Sequence, residues 1–288
     1  MPAVDAHLHL WDPERLDYRW LEGPLRARFA AAEVAAAPAD AGTSPATAVF
    51  VQAECVEEQF LDEARWVAAT AADTGVRGIV AGARLDRGAK TAAHLDALAA
   101  IPLVVGVRHL LQGEPDGLAT TPAFLAGAEA VAARGWTFDA CVRAHQLPDV
   151  VGLAAAVPAL RVVLDHLGKP GIGTADAPLA PDAAWIRDLH ALAALPNTSC
   201  KLSGLPAEAG GRWSPTQVAP FLDAAAEAFG PQRLLWGSDW PVSAVGPEGY
   251  RADDRGAWLR TVAGWAAQRG LDVDAILGGT AIRVYGLA

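Results

Sequence analysis

The chain has 288 residues, 52% hydrophobic and 19% charged, a balance that fits a packed globular enzyme and excludes a disordered or fibrous chain. Its formal net charge is −10, with acidic residues spread along the sequence, so the basic patch needed for nucleic acid or an anionic membrane is missing. The three cysteines, Cys55, Cys141 and Cys200, share no CxxC spacing, and no apolar run reaches the ~20 residues of a membrane span. Met1–Asp5 also lacks the basic start of a signal peptide, so a cytoplasmic protein with reduced thiols is expected.

Eight short apolar, β-branched runs follow in chain order: Ala3–Leu10, Thr47–Glu54, Val76–Leu85, Leu103–Gln112, Thr137–Val142, Arg161–Gly168, Thr198–Gly204 and Leu234–Pro241. Between them lie Ala/Leu-rich stretches of helical period, namely Glu58–Ala72, Ala89–Ala100, Pro122–Arg134, Leu147–Val157, Ala183–Leu195, Thr216–Phe229 and Ala257–Arg269. Eight alternating units without a break in composition predict one (β/α)8 TIM barrel over residues 1–288. No G-x-G-x-x-G follows the first strand, which removes the main support for a dinucleotide fold. Ala30–Ala41 reads as part of a long loop after the first strand, and Gly278–Gly279 as a stop between two short helices.

In such a barrel the reaction centre is built at the C-terminal ends of the strands. The polar residues late in the runs are His7, His9, Glu54, Arg108, His109, Asp139, His166, Lys201 and Asp239. His7 and His9 are two apart on a strand and share a face, where they can bind a metal or polarise a substrate oxygen; a hydrogen-bonded core pair is the bland alternative. Asp239 lies late in the last strand, which neighbours the first in a closed barrel, so it is expected opposite the two histidines as metal ligand or general base. Arg108 and His109 are adjacent, so only one points inward, and His109 is the expected one. Asp165, beside His166, is expected to point away.

The segments VDAHLHLW at the start, GVRHLLQGEPD at Gly106–Asp116, LDHLGKP at Leu164–Pro170, CKLSGL at Cys200–Leu205, LLWGSDWP at Leu234–Pro241 and GGTAIRVYGL at the end are more specific. Together they resemble the amidohydrolase superfamily (amidohydrolase 2 type), and within it the lactonase branch acting on sugar lactones and on 2-pyrone-4,6-dicarboxylate. The resemblance implies that His7 and His9 are the family's strand-1 pair, His166 its strand-6 histidine and Asp239 its strand-8 aspartate. Metal-dependent relatives carry a Lys or Glu after strand 4 and a His after strand 5, where this chain has His109 and Asp139. The binuclear framework is therefore missing, which leaves either no required cofactor or one divalent cation, zinc first, on His7, His9, His166 and Asp239. Thr280 stands where relatives often have Asn and reads as a helix-cap variation.

What the resemblance implies for the reaction is hydrolysis of an L-fucono-, L-galactono- or L-rhamnono-lactone. Asp239 takes a proton from water and returns it to the leaving oxygen, while His7, His9, His109 and His166 stabilise the oxyanion. Lys201 contacts substrate or forms an ion pair at the rim, and Glu54 binds a sugar hydroxyl or caps a helix. Trp11, Trp20, Trp213 and Trp240 lie in or beside βα loops where an indole can stack on a sugar ring, and His145 is placed to reach the mouth. Lys169–Asp182 and Pro206–Pro215, rich in Gly and Pro, are the expected lids. Competing readings are a metal-dependent decarboxylase, a hydrolase of the pyrone dicarboxylate, for which Arg19, Arg26 and Arg28 (with Arg108 if it turns inward) are the candidate anchors, and a non-enzymatic scaffold. The expected partner is a small lactone, with neither nucleic acid nor membrane, and a homodimer is an open alternative to a single chain.

Overall fold

A computed structural model describes residues 3–37 and 47–287. Eight parallel strands form one sheet: β1 (Val4–Leu8), β2 (Thr47–Val51), β3 (Val76–Gly82), β4 (Val104–Leu110), β5 (Thr137–Cys141), β6 (Arg161–Leu164), β7 (Thr198–Leu202) and β8 (Leu234–Trp236). The sheet closes where the Asp239 amide donates to the His7 carbonyl at 2.8 Å and the His9 amide to the Trp240 carbonyl at 2.9 Å. The (β/α)8 barrel expected from the alternating pattern is what forms.

The strand runs read from the sequence extend past the ladder at their C-terminal ends. Those overhanging residues, among them His9, Glu54, His166 and Asp239, carry the site. Outside lie α1 (Ala31–Ala36), α2 (Phe60–Thr74), α3 (Ala89–Ala99), α4 (Pro122–Ala133), α5 (Leu147–Ala156), α6 (Ala183–Ala193), α7 (Leu205–Glu208), α8 (Pro215–Phe229), α9 (Asp254–Gln268) and α10 (Thr280–Tyr285). Local chemistry fixes several starts: Asp182 accepts from the Ala184 and Trp185 amides, and Ser214 and Gln217 form a capping box on α8.

Two apolar clusters result from the strand period of two. Phe50, Ile79, Val107, Phe138, Leu164 and Trp236 face outward into the helix layer. Val4, Ala6, Val49, Val51, Val80, Val163 and Leu235 fill the lower barrel, and Ala281, Val284 and Tyr285 of α10 pack against them from below. Within β1 the register shifts between Asp5 and Leu8. That shift turns His7 and His9 inward above Ala6, the kind of re-aiming a bulge produces. Asp5 secures it, since its Oδ1 accepts from the His7 amide (3.2 Å) and the Ser238 amide (2.8 Å), while Oδ2 accepts from Arg255 of α9.

Three expectations are corrected. Residues 31–36 are helical, started by Glu33, whose carboxylate accepts from the Ala30 amide at 2.9 Å; residues 38–41 of the expected loop lie outside the described residues. Gly278 and Gly279 do not stop a helix, because the π-helical turn Ala275–Gly279 runs straight into α10 with Gly279 at φ −57°, ψ −40°. Thr280 is no cap; it sits inside that continuous helix and its hydroxyl donates outward to the Gln232 carbonyl.

Candidate active site

The upper barrel holds a cavity of about 240 Å³, lined among others by His9, Trp20, Glu54, Arg108, Lys169 and Asp239. At its floor four donor atoms converge. Asp239 Oδ1 lies 3.4 Å from His9 Nε2 and 3.7 Å from both His7 Nε2 and His166 Nε2, and the two Nε2 atoms of His7 and His9 are 3.1 Å apart. The backbone reaches this arrangement at a cost. Asp239 has φ +53°, and His166, Leu167, Gly168 and Lys169 follow one another at +54°, +55°, +72° and +51°. Left-handed backbone costs non-glycine residues about 1–2 kcal/mol each, and such strain gathers at functional sites. Gly204 is required beside this turn: its φ is +72°, and a Cβ there would meet the His166 ring at 2.5 Å.

The opposite edge of each imidazole is already engaged. His9 Nδ1–H donates to the Val51 carbonyl at 2.8 Å, and His166 Nδ1 shares a 2.9 Å hydrogen bond with Ser203 Oγ. His7 Nδ1 lies 3.2 Å from Asp165 Oδ1 and 3.1 Å from Lys201 Nζ. With Nδ1–H committed to Val51, His9 Nε2 points at His7 Nε2 and at a carboxylate, and either a proton or a cation must stand between them. Ligand atoms around a tetrahedral ion at ~2.0–2.1 Å would be about 3.3 Å apart, close to the spacing seen. His7, His9 and Asp239 thus have the spacing to hold one divalent cation, with His166 beside them in a second group with His7 and Asp165, and the hydrogen-bonded far nitrogens are what such ligands ordinarily have.

Electrostatics favour the same protonation states. Burial lowers His166 to about 4, and burial with the Lys201 cation pushes His7 well below its ordinary value, so both rings are neutral at pH 7. For Asp239, burial favours the acid, but His166, His9 and His7 outweigh it and hold the carboxyl well below the usual range. The other oxygen, Oδ2, accepts from Ser243 Oγ at 2.7 Å, which fixes the carboxylate plane.

Beneath the floor is a fully buried charge network. Lys201 Nζ reaches Asp139 Oδ2 at 2.6 Å, Asp165 Oδ1 at 3.0 Å and His7 Nδ1 at 3.1 Å; Tyr285 of α10 donates to Asp139 at 2.7 Å. Lys201 accordingly lies behind His7 and does not line the cavity, which corrects its expected contact with substrate. Asp165 is corrected as well: it points inward in the strand's own alternation, after inward Val163 and outward Leu164, and it is His166, first residue of the left-handed turn, that breaks the alternation to reach the same side.

The Arg108/His109 choice is reversed. Arg108 faces in, donating to the Gln52 carbonyl at 2.5 Å and to Asp165 at 3.2 Å. His109 faces the helix layer, where it stacks on Phe124, accepts from the Leu85 amide and sits 3.5 Å from Glu114. It has no route to the oxyanion. Trp11 and Trp240 are buried structural residues, bonded to the Leu25 and Ala27 carbonyls and to Tyr250 Oη respectively. Trp213 packs on Trp258, away from the site, whereas Trp20 does line the cavity. His145 is 63% exposed beside Asp116 and does not reach the cavity lining. Glu54 lines the cavity, bonded to the Gln52 side chain, and caps no helix.

Four lining residues with polar side chains had no site role in the sequence reading: Gln112, Cys141, Lys169 and Glu208. Lys169 donates to Gln112 Oε1 at 2.5 Å. Lys169 and Glu208 come from the two Gly/Pro-rich loops read as lids, and their loop position was the available signal. Of the arginines considered for a dianionic substrate, Arg108 turns inward and lines the cavity, paired with Asp165, whereas Arg19 is 79% exposed on an adjoining surface and Arg26 and Arg28 line a separate groove.

The amidohydrolase family model matches residues 4–287. The chain belongs to the amidohydrolase family. This amidohydrolase is 32% identical to an L-fucono-1,5-lactonase of Burkholderia ambifaria, over 98% of this chain and 94% of that one. It is 34% identical to an L-fucono-1,5-lactonase of Burkholderia multivorans, over 99% and 96%. Among solved structures, a Burkholderia multivorans amidohydrolase with bound zinc superposes with a TM-score of 0.83 at 31% identity, covering all of both chains. No helix among the described residues is long and apolar enough to cross a membrane.

Proposed function

We propose that this amidohydrolase opens a neutral sugar lactone of the L-fucono-, L-galactono- or L-rhamnono-lactone type, using water activated by Asp239. That it is a hydrolase acting on a lactone ester bond rests on its near full-length likeness to curated lactonases. The observation that supports the site reading is the convergence of Asp239 Oδ1 on three imidazole Nε2 atoms at the floor of the cavity.

A lactone needs its carbonyl polarised, a water deprotonated and the ring oxygen protonated as it leaves. A divalent cation held by His7, His9, His166 and Asp239, zinc by the donor chemistry and by the ion in the Burkholderia structure, would supply the polarisation and acidify water. Asp239 receives the proton and passes it to the ring oxygen, so one carboxyl serves both half-steps. Its carboxyl, held well below the usual range, makes it a weak base alone, and a cation that acidifies the water would offset this. Glu54, Gln112, Lys169 and Glu208 surround the space above and offer acceptors and donors to ring hydroxyls, while Trp20 closes one wall. Three carboxylates, Glu54, Glu208 and Asp239, accompany the two cations, Arg108 and Lys169, a balance suited to a neutral polyol more than to a dicarboxylate.

Proton release measured against a panel of lactones, with and without chelator, tests this. Asp239→Asn is expected to lower kcat by about 10²–10⁴-fold with an unchanged circular dichroism spectrum. Near-normal turnover by the variant, or carbon dioxide release from a benzoate substrate without any lactone hydrolysis, would sink the reading.

A further inference from the structure

Outside the charge network, one buried carboxyl has no role in the chemistry described so far. Glu63, in the first turn of α2, is wholly buried. Its Oε1 accepts from the Ala53 amide at 3.1 Å, and its Oε2 has no partner besides the neighbouring Tyr18 hydroxyl. Ala53 in turn accepts from Trp20 Nε1 at 2.7 Å through its carbonyl, and Ala53, Glu54 and Trp20 all line the cavity. Glu54 follows at φ +62°, a strained position that needs its neighbours to hold it. Two residues before Trp20 stands Tyr18, also buried, whose hydroxyl has no other partner than the neighbouring Glu63 carboxyl.

We propose that Glu63 is a positioning residue that holds the Trp20–Glu54 wall of the cavity in its substrate-binding form. It does so as a neutral acid. The groups that act on it are Tyr18 and Glu54 from the loops and Arg108 from β4, with Cys55 close by, and none of them forms an ion pair with it. Burial therefore dominates and raises the carboxyl to about 8. In the acid form one oxygen accepts from Ala53 N–H, and the other carries a hydrogen toward the neighbouring Tyr18 hydroxyl. Ionisation would leave an uncompensated charge in a dry space behind the wall. Water must then enter, or the Ala53 contact must open, and Trp20 is released with it.

The effect on turnover rests on the lactonase reading; the effect on the wall does not. For the wild type, KM for L-fucono-1,5-lactone, corrected for spontaneous hydrolysis, is expected to rise about tenfold between pH 7 and 9, with kcat changing less than about twofold. Glu63→Gln keeps a neutral side chain with the same acceptor, so KM should stay flat across this range, whereas Glu63→Ala should show the raised KM at every pH. Independently of any substrate, Trp20 emission is taken as the difference from the matching Trp20→Phe protein. It should become easier to quench with acrylamide above pH 8 in the wild type and at all pH values in Glu63→Ala, but not in Glu63→Gln. Quenching that ignores pH and both substitutions would overturn the proposal, as would a Glu63→Gln profile identical to the wild type. The expected quenching in a protein that turns over no lactone would instead refute the lactonase reading and leave this one standing.

Discussion

Gly204 shows how narrowly the donor set is specified. The His166 ring is gripped on one side by Ser203 Oγ and on the other faces Asp239, and the space where Gly204 would carry a Cβ is the ring itself. Gly204→Ala must push the ring, the loop or both, at a backbone angle that already disfavours any side chain. Loss of a metal ligand's support ordinarily costs 10–100-fold in affinity. We therefore expect Gly204→Ala to weaken zinc binding by about that factor in a chelator competition. Unaltered affinity in a natively folded variant would mean that His166 does not belong to the donor set.

At the scale of the elements, Lys201 ties four strands together: its own β7, β5 through Asp139, the end of β6 through Asp165, and β1 through His7. Burial alone would lower its affinity for a proton, but the two carboxylates more than compensate, so it stays charged. Lys201→Met removes one cation and leaves two buried carboxylates facing each other, a change that ordinarily costs about 3–5 kcal/mol. The urea midpoint should fall accordingly; a midpoint within error of the wild type would show that the network is not under electrostatic stress.

The same elements show what the sequence makes legible. The strand and helix runs were readable because burial on one face or both imposes its period on residue choice, and His7, His9, His166 and Asp239 were readable because long motifs carry them. The parity of β4 was legible too, since Val107 and Phe138 are bulky outward partners and Gly106 is the small inward one. Chemical preference for a histidine over an arginine hid it. Asp165 was legible by the same alternation, inward after Val163 and Leu164, but the inward placement of His166 hid it, because His166 reaches the site only through the left-handed turn and no local pattern marks that turn beforehand. Lys201 was not legible: a lysine wholly buried among carboxylates looks, in sequence, like one at a rim.

For the whole molecule, placing neutral imidazoles in the barrel sets its behaviour in acid. The unfolded chain takes up protons on histidine near pH 6.5, whereas folded His166, held at about 4 by burial, does not. Between these values the unfolded state binds more protons, so stability falls as pH drops through that window, by about 3 kcal/mol from His166 alone. His7 acts in the same direction. Metal-free protein should therefore show a lower urea midpoint at pH 4.5 than at pH 7, and equal midpoints would contradict the buried, neutral state of these rings.

The contact between Tyr285 and Asp139 joins positions 146 apart in the chain. During vectorial synthesis β5 leaves the ribosome long before α10 does, so Asp139 must wait with Lys201 unmade beside it and then with its phenol partner absent. The lower barrel, likewise, stays open until Ala281, Val284 and Tyr285 arrive to seal it. Assembly of the floor thus waits for α10 to be synthesised, and the nascent barrel carries an unsealed, charged interior until that helix docks.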